Sequence, residues 1–160
     1  MFKRVLLLFI FIVVSVSSRA QHLGMTFQEA EDHGLTLPHL DSVYKSAVHV
    51  DTSLAVFKTA QEQDSLQSAY IQLLQEFGNF LAENEFVWEK RTPCYNRIYF
   101  SADGGIDYFL FNFLGKPEYQ PSPAQQAEFK RLLNEFIQDY QFGVTASIKF
   151  AQFSPTTYMP

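Results

Sequence analysis

Imidazole and carboxylate side chains, the groups that most often bind metal ions and transfer protons, are concentrated in the N-terminal third of the chain. Such side chains are the usual ligands of zinc and similar ions. No His-x-x-x-His or Glu-x-x-His pair places two of them on one helical face, so an acidic, solvated surface is favoured over a metal site. The residues concerned are Glu31, Asp32, His33, His39, Asp41, His49 and Asp51.

A catalytic serine or cysteine would need a histidine and a carboxylate beside it. Cys94 is the only cysteine, and in principle it could combine with His49 and Asp51. The chain has neither a Gly-x-Ser-x-Gly motif nor the local signature of a cysteine protease. Cys94 is therefore interpreted as a small core residue. We assign no catalytic residue, no metal ligand and no cofactor, and we keep a hydrolase as an alternative.

Oxygen-bearing side chains alternate in residues 101–107, SADGGID, as they do at the start of a calcium loop. A calcium loop of the EF-hand type needs a longer run of oxygen ligands and a closing glutamate, which this segment lacks. Asp103-Gly104-Gly105 instead predicts a tight turn, because glycine readily adopts positive φ angles. The flanking residues are β-branched and aromatic, which indicates a β-hairpin over residues 94–113.

The second strand of this hairpin is apolar on both faces. Side chains alternate across a strand, so a strand with one solvated face should alternate apolar with polar residues. A strand that is apolar on both sides must be covered on both sides, by helices, by a partner or by a ligand. The two predicted faces are Ile106, Tyr108 and Leu110 on one side and Phe109, Phe111 and Phe113 on the other.

Aromatic residues are abundant, with 17 phenylalanines, eight tyrosines and one tryptophan. Most must fill the core, but a tyrosine combines an apolar ring with a polar tip and suits an interface.

We expect Arg97 to pair with Asp107 across the hairpin, or to bind an anionic ligand. Alternation over residues 144–153 predicts a last strand at the edge of the sheet. The possible binding surface consists of Tyr95, Arg97, Tyr99, Ile148, Phe150 and Phe153.

Two amphipathic helices are predicted to position these strands. Thr59 and Glu62 form a capping box at the start of a helix over residues 60–84, and Ser122 with Pro123 begins a helix over residues 123–141. The segment 26–57 predicts short helices, although residues 47–57 fit a strand or a packed loop equally well. These elements predict an α+β domain over residues 21–160, a small antiparallel sheet of three or four strands packed by the two helices.

The first 20 residues have the pattern of an export signal. Lys3 and Arg4 precede an apolar run from Val5 to Val14, and Ser18-Arg19-Ala20 provides small residues for cleavage after Ala20. The run is about half the roughly 20 residues needed to span a membrane, so a retained anchor is the less favoured alternative. The leader is basic, and its removal makes the chain more acidic than its formal charge of −5. That balance argues against nucleic acid as a partner.

Residues 95–153 contain a hairpin that turns at Asp103-Gly104, then an amphipathic helix, then the closing segment Thr145 to Phe150. In this order of elements the chain resembles the C-terminal module of TonB-type envelope proteins. The family keeps an N-terminal anchor and a long proline-rich linker, and this sequence has no such linker. Taken whole, the chain is similar to small exported proteins of Gram-negative bacteria.

The sequence as a whole predicts a non-catalytic module, periplasmic or extracellular, that binds through a sheet edge or an aromatic face. Its expected partner is another envelope protein. The alternatives are a carrier of a small apolar ligand or a glycan, with a pocket near Phe109, Phe111 and Tyr70, and an envelope hydrolase. The sequence predicts no stable membrane anchor after cleavage and leaves the oligomeric state open.

Overall fold

The computed structural model describes residues 22–160. The predicted leader, residues 1–20, and its cleavage site lie outside the described residues. Within residues 22–160, none of the helices is both long enough and apolar enough to span a bilayer.

The described chain forms one mixed sheet with helices on both of its faces. The strands are β1 (Leu23–Thr26), β2 (Lys45–Ser46), β3 (Thr92–Phe100), β4 (Ile106–Phe113) and β5 (Phe150–Tyr158). The helices are α1 (Phe27–Asp32), α2 (Leu37–Val43), α3 (Ala60–Glu83) and α4 (Pro123–Phe136), with short 3-10 turns at Thr52–Leu54 and Pro117–Tyr119.

The strand order is β1-β4-β3-β5-β2. The central strand β3 pairs antiparallel with β4 and with β5, while β1 lies parallel to β4 and β2 lies parallel to β5. The predicted α+β class is confirmed. The predicted sheet was antiparallel with three or four strands, whereas the observed sheet is mixed with five. Short parallel pairings are added by β1, which precedes the segment 26–57 except at Thr26, and by β2, which lies within it.

Helix starts follow the sequence signals. Thr26 and Thr59 each form a complete capping box, and the Ser122 side chain accepts a hydrogen bond from the Gln125 backbone N–H. Helix α4 ends at Phe136, five residues before the predicted end at 141. The chain leaves the helix because Gln141 bridges to Gly105 and the Phe142 N–H donates to the Gly104 carbonyl, which draws this segment to the hairpin turn.

Both faces of the β3–β4 hairpin are covered, as its sequence requires. Helices α3 and α4 cover one face, where Phe109 and Phe111 join the large core that contains Phe77 and Phe129. The short helices α1 and α2 cover the other face, where Tyr99 and Leu110 join the small core that includes Leu40 and Tyr44. Each fully buried large side chain contributes roughly 1.5–3 kcal/mol.

A β-bulge changes the predicted alternation of β4. Tyr99 pairs with Tyr108 and Phe100 with Ile106, so Asp107 has no partner opposite it on β3. The extra residue turns Ile106 to the large core, together with Phe109. The prediction that Ile106 shares a face with Tyr108 is therefore wrong, since a bulge shifts the period of a strand by one residue.

The last strand begins later than predicted. Residues 144–149 lie beyond Phe100, where β3 ends, and so do not pair with β3. Ala146 donates instead to the Ala102 carbonyl in the hairpin turn. Strand β5 pairs with β3 from Phe150 to Tyr158. The predicted range 144–153 is therefore shifted toward the C-terminus.

Replacement of Phe129 by alanine tests the large core. The Phe129 ring lies within 6.2 Å, between centroids, of the rings of Phe77, Phe86, Trp88, Phe111, Phe113 and Tyr158. We expect Phe129→Ala to lower the free energy of unfolding by about 3–5 kcal/mol, measured by urea denaturation. Tyr119→Ala, at a side chain that is 58% exposed, should change it by less than about 0.5 kcal/mol. Equal effects of the two changes would contradict this description of the core.

Candidate functional site

The six residues predicted as a binding surface do not form one surface. Tyr99 and Phe150 are fully buried, and they belong to the small and the large core respectively. Ile148 is exposed but lies before β5. The remaining three residues, Tyr95, Arg97 and Phe153, are partly exposed in β3 and β5.

Arg97 is held by neighbours within the chain. Its Nη2 lies 2.5 Å from Oδ1 of Asp41, its Nε donates to the Tyr99 hydroxyl at 3.0 Å, and its guanidinium lies 3.9 Å from the centre of the Phe153 ring. The predicted pair with Asp107 is wrong, because Asp107 occupies the bulge and Asp41 reaches Arg97 from α2. This ion pair attaches α2 to the sheet.

Asp107 also attaches α2 to the sheet, at the C-terminal end of the helix. Its Oδ2 accepts from the Tyr44 hydroxyl at 2.7 Å and from Lys149 Nζ at 2.8 Å, and its side chain is 7% exposed. Burial and the hydrogen bond to Asp107 raise the pKa of Tyr44, so Tyr44 stays a donor. The three side chains join the end of α2, the bulge and the segment before β5.

The structure does not assemble the nucleophile considered for a hydrolase. The Cys94 thiol is buried and donates to Oδ1 of Asn96 at 3.3 Å. His49 lies on an exposed loop, where its ring nitrogen contacts the backbone of Asp51 at 3.0 and 3.1 Å. Among residues 22–160, no group of three or more His, Cys, Asp or Glu side chains is placed to hold a metal ion.

The buried position of Cys94 predicts that its thiol reacts slowly in the folded protein. Burial raises its pKa to about 12, so the thiol is neutral and enclosed at pH 8. A thiol-reactive disulfide reagent should therefore label the protein rapidly in denaturant and only very slowly in the folded state, followed by absorbance. Because Cys94 is the only cysteine, prompt labelling of folded protein would contradict the placement of this residue in the core.

An open apolar groove lies between α3 and the end of β5, and we call it the α3–β5 groove. Its volume is about 590 Å³. One wall is the side of α3 that carries Ile71, Gly78 and Ala82, and the others are the segment Phe86–Trp88 and the residues from Thr156 to Pro160. None of the side chains that line it, in the described part of the chain, is charged.

The sequence forms this groove by placing a glycine and an alanine on the side of α3 that lines it. Ile71, Gln75, Gly78 and Ala82 recur at steps of three and four and so lie on one side of the helix. A Cβ atom placed on Gly78 would have no atom within 4 Å, so the missing side chain leaves open space. Opposite, the Trp88 and Tyr158 rings stack with centroids 4.7 Å apart and form a flat aromatic wall.

Two phenol groups near the groove lack hydrogen-bond partners. The Tyr158 hydroxyl is buried without a partner among residues 22–160, and so is that of Tyr70 on α3. Burial raises the pKa of Tyr158 well above its ordinary value, which keeps the phenol protonated. Such groups are few in native proteins, and because both hydroxyls are buried they add no polar contact to the wall of the groove.

The two edges of the sheet are closed to different extents. On β1, the Asn134 side chain of α4 closes the edge, because its Oδ1 accepts from the Gly24 N–H at 2.9 Å and its Nδ2 donates to the Gly24 carbonyl at 2.7 Å. On β5, the strand β2 pairs only with Phe150 and Ala151. Beyond Ala151, no other strand of the described chain pairs with the outer edge of β5.

Proline limits this open edge. The Ala47 N–H donates to the Ala151 carbonyl, so the backbone groups of alternate residues, at Phe153, Pro155 and Thr157, also point away from β3. Pro155 has no N–H to offer there, which is the position at which a strand tolerates proline. Phe153 and Thr157 retain outward N–H groups, and Thr157 lines the groove.

Comparison of the chain with protein-family models, curated proteins and solved structures gave no match. The groove is therefore interpreted from its own geometry. Sequence reasoning did not find it, since it placed the pocket at Phe109, Phe111 and Tyr70, which are buried core residues. The signal for the groove in the sequence was the pair of small residues Gly78 and Ala82, which lie on one side of an amphipathic helix.

Proposed function

We propose that the protein is an exported, non-catalytic binding module of the bacterial envelope whose binding site is the α3–β5 groove. The observation that carries the proposal is an open groove whose lining side chains are uncharged, beside the part of β5 beyond Ala151 that has no outer strand among residues 22–160. Exposed apolar residues border it, with Ile71 48%, Val87 69% and Met159 61% exposed. Exposed apolar surface around a concave site favours binding of an apolar guest. Export is supported by the leader pattern of the sequence.

A carrier of a small apolar ligand is the second candidate. The groove volume of about 590 Å³ lies in the range of small-molecule sites, which runs from roughly 300 to 1,000 Å³. The solid core around Phe109 and Phe111 argues against the site first expected for such a ligand. Both candidates place the guest in the same groove, and both are tested by filling it.

Gly78 allows the groove to be filled without disturbing the fold. Gly78→Ala should raise the free energy of unfolding by up to about 1 kcal/mol, because glycine is a poor helix former and the added Cβ meets nothing. Gly78→Leu should occupy the groove. Asn79→Leu, at the next and exposed position of α3, adds the same side chain outside the groove and is the matched control.

Trp88 reports on occupancy, since it is the only tryptophan and lines the groove. The uncharged apolar dye N-phenyl-naphthylamine should bind to the native protein, to Gly78→Ala and to Asn79→Leu, with quenching of Trp88 fluorescence. Its affinity for Gly78→Leu should be at least about tenfold lower, a loss of roughly 1.4 kcal/mol. Unchanged dye binding by a folded Gly78→Leu variant would remove the groove as the binding site.

A further inference from the structure

We infer that the guest of the α3–β5 groove is an extended polypeptide segment that adds to the outer edge of β5 as a further strand. This inference rests on the proposed function and specifies its partner. It follows from the groove and the open strand edge lying side by side, with Thr157 belonging to both. A helix beside an open strand edge suits peptide binding, since the edge supplies main-chain hydrogen bonds and the groove accepts alternate side chains.

The chain already shows that this edge accepts a strand. Strand β2 lies parallel to β5 and pairs with Phe150 and Ala151, and the Lys45 and Ala47 N–H groups donate to carbonyls of the β5 segment. It then turns away, and the outward positions from Phe153 onward have no strand beside them in residues 22–160. A guest strand would continue the line that β2 begins.

The alternation of side chains along β5 shows which side chains of a guest strand would point into the groove. Thr156 pairs with Cys94 of the large core, so Thr156 and Tyr158 face α3, whereas Phe153, Pro155 and Thr157 face the other side. The groove runs along α3 from Ile71 to Ala82, a rise of roughly 16 Å. An extended segment of about five residues has this length and places two or three side chains toward α3.

The lining fixes the chemistry of those side chains. With no charged side chain in the wall, a buried charge on the guest would have no partner, so uncharged apolar or β-branched residues fit best. Pro155 removes one donor from the edge, which weakens indiscriminate pairing of strands and leaves selection to the groove. Local side chains also occupy two outward carbonyls, with Ser154 Oγ bonded to Pro155 O at 2.9 Å and Gln152 Nε2 to Phe153 O at 3.4 Å.

Two edge variants change the hydrogen-bonding capacity in opposite directions. Thr157→Pro removes an outward N–H, and Pro155→Ala restores one. Both positions point away from β3, so neither change alters the pairing between β3 and β5. The probe is a capped, uncharged peptide of alternating valine and threonine, and its control has the same side chains with N-methyl groups on alternate amides.

We expect the unmethylated peptide to bind with a change in Trp88 fluorescence and the methylated peptide to bind at least about tenfold more weakly. Thr157→Pro should weaken binding of the unmethylated peptide about three- to tenfold and Pro155→Ala should strengthen it by a similar factor, the change that one hydrogen bond produces. Pro155→Ala should leave the affinity for the dye unchanged, because Pro155 does not line the groove and the dye makes no strand pairing. If Thr157→Pro does not fold, Pro155→Ala alone carries the comparison.

Equal binding of the two peptides, or no response to Pro155→Ala, would overturn the inference. If the dye still binds and is excluded by Gly78→Leu, the groove remains a binding site and its guest is a small apolar ligand. If the dye does not bind to the native protein either, the proposed function fails together with the inference.

Discussion

The apolar character of both faces of the β3–β4 hairpin is the constraint on which the rest of the structure depends. Such a hairpin cannot leave either face in water, so the chain must supply two layers of cover. Helices α3 and α4 form one layer around Phe77 and Phe129. The other layer is thinner, and the ion pair between Arg97 and Asp41 and the hydrogen bond from Tyr44 to Asp107 attach its short helix α2 to the strands. Arg97 and Asp107 of the hairpin are therefore already paired within the chain.

Once the faces are covered, the edges of the sheet determine where another molecule can bind. The edge of β1 is closed by the carboxamide of Asn134, which bonds to both backbone groups of Gly24 as a neighbouring strand would. The edge of β5 is covered for two residues by β2 and limited by Pro155 beyond them. The α3–β5 groove lies beside this part of β5. The groove forms where the layer of α3 and α4 meets the open edge of β5, without any dedicated domain or insertion.

Local signals in the sequence predicted much of the fold. The capping residues Thr59 and Ser122 fixed the starts of two helices, and Gly104, with φ of 94°, took the turn conformation that its sequence indicated. Features that depend on contacts between distant parts of the chain were not predicted. The bulge at Asp107 and the shift of β5 depend on which residues of β3 are available for pairing. The contact between Arg97 and Asp41 joins residues that are far apart in the chain, and no local pattern encodes it. The groove was missed for the same reason, since Gly78 and Tyr158 meet only after the sheet has formed.

Amide hydrogen exchange along β5 tests most directly whether its edge is open beside the groove. The N–H groups of Ser154 and Thr156 lie on the β3 side, whereas those of Phe153 and Thr157 point outward. We expect slow exchange at Ser154 and Thr156 and fast exchange at Phe153 and Thr157 in the free protein. Slow exchange at all four amides would show that another part of the chain, or a second copy, already covers this edge, and would contradict an open edge beside the groove.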